Sequence, residues 1–196
     1  VFSSLHGSKA NFKRFKGIDM SMIRGLSFFG LCLAFVVIAL GAWTRLVDAG
    51  LGCPDWPGCY GFVVFPTSEA DVLLAEQRYP QFPYEIDKAI PEVVHRYFAA
   101  FLGIIAISLV VAAFKFKLSL RIKRLTSFLL FFICCQGLFG YLTVSLKLLP
   151  LIVTGHLFGG FTTLSLFFYL YLISTDKIIS YQIGHLKPLA AIALVA

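Results

Sequence analysis

Four uncharged, strongly apolar runs are set along the chain at 25–43, 97–114, 125–146 and 148–175. A helix needs about 20 such residues to cross a bilayer, so each run reads as a membrane helix. The second is short by that measure. Its helix is expected to begin earlier, near Pro91, because proline suits a first helical turn and Glu92 suits the positive end of the dipole. In the fourth run Pro150 marks a helix start after a turn at Lys147. A fifth apolar run opens at Pro188 and stops at Ala196 after nine residues. Nine residues cannot span, so the chain reads as cut within a fifth helix. The first run has 19 residues, longer than the roughly 7 to 15 of a signal peptide's apolar region, and no small-residue cleavage site follows. It is expected to be retained. The pattern predicts an all-α polytopic membrane protein: a four-helix transmembrane bundle plus the start of a fifth helix. The expected division is an N-terminal extension (1–23), a four-helix membrane half (24–175) with a long loop at 45–91, and a tail (176–196).

Composition agrees with this pattern. The chain is 59% hydrophobic and 14% charged, where a soluble domain carries about a quarter charged residues. Its mean hydropathy is +0.85. The net charge of +7 bears on topology rather than on nucleic acid, because of where the charges fall. Residues 1–24 carry five basic residues against Asp19, and 115–124 carry five with no acid. Residues 45–96 carry four basic and eight acidic residues. Lys and Arg concentrate in short cytoplasmic loops. The N-terminus and the 115–124 loop are therefore expected in the cytoplasm, with the long loop outside.

Of the five cysteines, Cys32, Cys134 and Cys135 fall in apolar runs and are expected to be small buried side chains. Cys53 and Cys59 bracket Pro54-Asp55-Trp56-Pro57-Gly58 in the long loop. Two prolines and a glycine favour a compact turn that brings the sulfurs together, and the outer compartment permits oxidation. A disulfide is expected there, as a structural staple or a thiol-exchanging pair. Residues 67–78 read as a short helix with Ser68 and Asp71 as a loose capping box. Its Val72, Leu73, Leu74 and Ala75 would lie on the membrane surface or cover a pocket.

Candidate chemistry centres on the histidines. His6 and His185 read as solvated. His95 and His156 lie in membrane helices, where ionisable residues are rare and face protein interior or cavities. His95 is four residues after Pro91 and His156 six after Pro150. At 1.5 Å per residue they differ by only about 3 Å in depth. Neighbouring helices would then present two imidazoles across one flat cofactor. Two histidines without further ligands suit heme iron better than structural zinc. Gly155, Gly159 and Gly160 would let a macrocycle or a helix approach, with Thr154 and Thr162 nearby; Phe98, Phe101, Phe158 and Phe161 are candidate walls. Glu92 stands one helical turn before His95 and is a candidate base, its bland alternative being dipole stabilisation. Arg96 and Arg45 read as propionate partners or interfacial anchors, and Gln136 as a pocket residue or interhelical glue.

Several segments resemble heme A synthases. Gly41-Ala-Trp-Thr-Arg-Leu and Gly50-Leu-Gly-Cys-Pro-Asp-Trp-Pro-Gly-Cys-Tyr-Gly61 resemble that family's first helix end and first outer loop. Glu92-Val-Val-His-Arg96 is similar to its second-helix motif. Gln136-Gly-Leu-Phe-Gly-Tyr-Leu-Thr-Val144 and Pro150-Leu-Ile-Val-Thr-Gly-His-Leu-Phe-Gly-Gly160 are similar to its third and fourth helices. The resemblance is to the bacterial, cysteine-containing branch and runs over about 25–175. It implies eight helices in two pseudo-symmetric halves, of which this chain matches the N-terminal one. On matched positions it implies His95 and His156 as iron ligands for the substrate heme O, and Glu92 as the catalytic carboxylate. It implies Cys53 and Cys59 as the loop disulfide, with a redox part. Arg45, Arg96, Gln136, Thr154 and Gly159 are pocket candidates. The implied reaction oxidises a ring methyl of heme O to a formyl group, giving heme A for terminal oxidases. Heme b is implied in the other half, without which this chain alone would not turn over. The implied setting is the bacterial inner membrane, with membrane lipid, a heme O synthase, an electron acceptor and a second copy of the chain as candidate partners, and no nucleic acid. The rival readings are a bis-histidine electron-transfer cytochrome and a non-enzymatic heme carrier.

Overall fold

The computed structural model describes residues 4–175, with side chains from Met20 onward. His185 and the expected fifth helix at Pro188 lie outside the described residues, as does the side chain of His6. Five helices follow in order: α1 (Ser4–Leu46), α2 (Glu69–Arg78), α3 (Ile86–Lys115), α4 (Leu120–Ser145) and α5 (Pro150–Ile173). Four of these have segments long and apolar enough to cross a membrane: Met20–Leu46, Ile86–Lys115, Leu120–Ser145 and Pro150–Ile173. The chain is thus a multi-pass, all-helical membrane protein.

Local chemistry sets the helix ends. Ser119 caps α4 by accepting from the Ile122 N–H, and Pro150 opens α5, where its missing N–H costs nothing. The α4–α5 turn uses positive φ at Lys147 and Leu148, and Lys117 does the same after α3, so the chain reverses within a few residues. α2 is stapled by a complete capping box: Ser68 Oγ accepts from Asp71 N–H and Asp71 returns a bond to Ser68 N–H, both at 3.2 Å. α3 departs from expectation. It starts at Ile86, so Pro91 lies in its second turn and Glu92 is not a first-turn residue; the first-turn acid is Asp87. α1 packs against this turn: Thr44 Oγ1, 2.9 Å from the Leu40 carbonyl of its own helix, also lies 3.3 Å from the Pro91 carbonyl.

Extensive contacts join α1 to α3, α3 to α4, α4 to α5 and α5 back to α1. The four spanning helices therefore form a ring with α3 and α5 on one diagonal. One end of the ring carries the basic 115–124 turn; the other carries the long loop. Packing is uneven between these ends. Ile23, Leu33, Leu102, Ile105, Leu109, Ile122, Leu129, Phe167 and Leu170 form one core in the basic-end half. Toward the loop end, α4 has no fully buried residue after Leu129, and α3 has none between Val93 and Leu102. That half is filled by partly buried side chains. A second, small core of Cys53, Cys59, Tyr60, Ala75, Ala89 and Val93 joins the loop to the start of α3. Ala75 of α2 is buried in it, whereas Leu73 is 62% exposed. Trp56 reaches from the loop to Tyr141 of α4, edge to face at 5.9 Å.

The thiols of the apolar runs correct an expectation: Cys32 and Cys134 are exposed and Cys135 is half-buried. Lipid is as apolar as a protein interior, so a thiol gains little by turning inward.

Phe167 is fully buried, and its ring occupies the space a Cβ at Gly30 would take. Phe167→Ala should cost about 3 kcal/mol through the cavity it leaves. The cost reads as a lower unfolding midpoint of the detergent-purified protein. Gly30→Leu alone should also destabilise, and the pair together should recover part of the loss. A strictly additive double variant would show that the two positions do not share this space.

Candidate functional site

The loop-end half of α3 carries Glu92, His95 and Arg96 on adjoining positions of one face. His95 is held by α1. Its Nδ1 lies 3.1 Å from the Val37 carbonyl, which can only accept, so Nδ1 carries the proton and donates. Nε2 of the neutral ring then keeps its lone pair for a ligand, an arrangement typical of metal-binding histidines. The approach depends on Gly41, since a Cβ there would sit 2.9 Å from His95 Cε1.

His156 comes from α5 across the ring. The His95 and His156 ring centroids are 6.4 Å apart and nearly perpendicular, at 87°. The expected pairing at one depth is present, but on diagonal rather than neighbouring helices. Gly140 of α4 flanks His156, with a Cβ position 3.6 Å from its Cε1. Among the described residues, His156 Nδ1 is the buried side-chain polar atom without a hydrogen-bond partner. Buried polar atoms ordinarily have partners, so this imidazole points to a ligand or water.

The donor set fits a heme. Among the described residues no cluster of three or more His, Cys, Asp or Glu forms a metal cage. Two imidazoles suffice for an iron that brings its own four equatorial nitrogens. With metal–nitrogen bonds of about 2.0 to 2.1 Å, two imidazoles sharing one metal have ring centres roughly 6 Å apart.

Glu92 is buried, at 5% exposure, and both its oxygens are engaged. Oε2 accepts from the Cys53 N–H at 3.0 Å and Oε1 from Arg96 at 2.5 Å. Arg96 thus bonds protein partners on both of its terminal nitrogens. Its other terminal nitrogen donates to the carbonyls of Asp55 (2.9 Å) and Gly58 (2.5 Å). Cys53 and Cys59 form the expected disulfide, with Cα atoms 4.8 Å apart. The loop is further fixed by Asp55, whose carboxylate accepts from Tyr60 N–H at 2.6 Å and Gly61 N–H at 2.8 Å.

The remaining candidates divide. Gly159 is buried on the His156 face, and a Cβ there would collide with the Gln136 amide. Gln136 thus reaches from α4 to α5, beside the His156 face. Thr154 is exposed. Two residues from His156 is about 200° of helical turn, so it faces away. Arg45 is exposed and pairs with Asp48 at 3.4 Å. Of the four candidate wall phenylalanines, Phe158 is 67% exposed and the others 40 to 48%; Phe101 packs edge-on to Phe29. Val37, Gly41, Gly140 and the Cys53 amide were not singled out by their residue types. Backbone contacts leave no composition signal, although Gly41, Gly140 and Cys53 do lie in motif-bearing stretches.

Comparison with known proteins adds to this geometry. Residues 24–196 match the model of the COX15-CtaA family, described as cytochrome oxidase assembly protein. The chain belongs to this family. It is similar to a protein of Shewanella oneidensis named heme A synthase, at 40% identity over 166 residues. That match covers 85% of this chain and 50% of the relative, so the chain spans about half the length of the curated protein it matches. No solved structure matches the chain.

Tyr60 tests the loop core beside this site. Its hydroxyl donates to the Pro83 carbonyl at 3.1 Å. Burial, reinforced by the nearby negative charge of Glu85, pushes its phenol up to about 12 from an ordinary 10.0. The folded state thus prefers the neutral phenol. The stabilisation is full below about pH 10 and is lost as pH rises through about 12. Alkaline titration of phenolate absorbance should show a late component that Tyr60→Phe removes. A variant that keeps the late component and loses absorbance near pH 10 instead would mean that Tyr60 titrates normally.

Proposed function

We propose that this chain holds heme O as a substrate between His95 and His156, as part of a heme A synthase that oxidises a heme ring methyl to a formyl group. The observation that carries the reading is the imidazole pair, 6.4 Å apart across the ring, with a buried carboxylate one helical turn away. Membership in the COX15-CtaA family and similarity to a protein named heme A synthase support it.

The heme supplies the redox-active iron and the carbon to be oxidised. The chain's own residues do the rest. His95 and His156 bind from opposite sides of the bundle, and the Val37 carbonyl fixes the rotation of the His95 ring. Converting the methyl to a formyl group consumes one water and releases four electrons and four protons. The electrons pass to an acceptor in the membrane. Glu92 takes the proton from the attacking water. Arg96 and the Cys53 amide hold its two oxygens in place. The same reading assigns the basic end to the cytoplasm and the disulfide loop to the outside of a bacterial inner membrane, following the positive-inside rule. It associates heme b with the family's other histidine pair and makes a heme O synthase the natural donor of substrate.

Glu92→Ala, expressed from the complete gene, should lower the ratio of heme A to heme O in extracted membranes by about 100-fold, as loss of a general base does. Heme should still be bound. An undiminished ratio would remove Glu92 from catalysis. His95→Ala or His156→Ala should instead abolish the low-spin optical spectrum of the substrate heme; if both spectra persist, the iron is held elsewhere.

A further inference from the structure

The partners of Glu92 all lead to the cysteine loop. Its Oε2 is bonded by the amide of Cys53, one of the two bridged residues. Its Oε1 is bonded by Arg96, with the two side chains only 6% and 13% exposed. Arg96 in turn gathers the carbonyls of Asp55 and Gly58, with that of Pro57 at a longer 3.4 Å. Three of the five residues between the cysteines thus turn their carbonyls toward one guanidinium nitrogen. The loop backbone also lies directly on α3: a Cβ at Gly52 would strike the Lys88 carbonyl. A planar fork can serve the carboxylate with one nitrogen and the loop with the other; a lysine ammonium offers a single point charge.

We propose that Arg96 is a positioning residue that locks the Cys53–Cys59 loop onto Glu92, and that the disulfide holds the Cys53 amide on that carboxylate. The disulfide then acts on the reaction through Glu92, by where it holds the Cys53 amide. The proposal rests on the reading above only for the catalytic part of Glu92; the lock is a property of the loop and can be measured without turnover.

The test uses the complete protein in detergent. Dithiothreitol breaks the S–S bond by giving two electrons and two protons, forming two thiols and its own cyclic disulfide. Alkylation followed by peptide mass spectrometry separates Cys53 and Cys59 from Cys32, Cys134 and Cys135. Arg96→Gln should open the disulfide at roughly tenfold lower dithiothreitol than the wild type, because charge-assisted bonds to the loop are lost. Arg96→Lys should fall nearer to Gln than to the wild type. In the wild-type protein, reduction should raise amide hydrogen exchange at Cys53 by about tenfold or more. Arg96→Lys should also keep the bis-histidine optical spectrum while its heme A output falls, a split that general misfolding would not produce. Equal dithiothreitol midpoints in the three proteins, or unchanged Cys53 exchange on reduction, would overturn the proposal. If Arg96→Gln does not accumulate, Arg96→Lys and the wild-type exchange measurement decide the matter. An unshifted midpoint alongside intact heme A synthesis removes the lock and leaves the proposed function standing. A shifted midpoint in a protein that never makes heme A does the reverse.

Discussion

A carboxylate buried at the edge of a membrane core must be satisfied by the protein, because water and lipid offer it little there. Glu92 is that carboxylate, and the loop end of the molecule is organised around it. Its two oxygens take an arginine from the next turn of the same helix and an amide from the cysteine loop. The loop must therefore fold back onto α3, and the disulfide, the Asp55 turn and the Gly52 contact bring it there. Removing one partner of such a buried pair typically costs about 3 to 5 kcal/mol, so the arrangement resists piecemeal change.

The two ends of the bundle answer different demands. In the basic-end half, large aliphatic and aromatic side chains from all four spanning helices meet in one core, which fixes the ring of helices. The loop-end half has glycines at 41, 140 and 159, where a side chain would press on His95, His156 or Gln136. Close packing of large side chains at one end holds the frame, while small residues at the other let these polar side chains stand between the helices. The Val37 carbonyl holds His95 there.

Much of this was legible in the sequence, for identifiable reasons. Long apolar runs report helices because lipid tolerates little else, so the four spans and the turn before Pro150 were readable. The capping residues of α2 and the bracketing cysteines act over a few positions, and the structure places them as read. The histidine pair was readable because depth along a helix follows from counting residues. What counting does not supply is the order of helices around the ring, so a diagonal pair was read as a neighbouring one. It also does not supply which way a long side chain bends. Arg96 was read as a propionate partner or an interfacial anchor; its guanidinium also meets the loop, whose carbonyls no residue type announces. Thr154 was read near the site through closeness in sequence, although two positions along a helix is nearly the opposite face. Cys32 and Cys134 were read as buried because the preference of free thiols for interiors comes from proteins surrounded by water.

The diagonal placement of the two histidines has a consequence for assembly. His95 enters the membrane with α3, 61 residues before His156 in the chain. The first three spanning helices can associate while holding only one of the two imidazoles. The second imidazole arrives when α5 closes the ring against α1. Biogenesis thus imposes a sequence of events: three spanning helices come first and the pairing of the imidazoles last. A nascent chain cannot bring His95 and His156 together before its fourth spanning helix is in place.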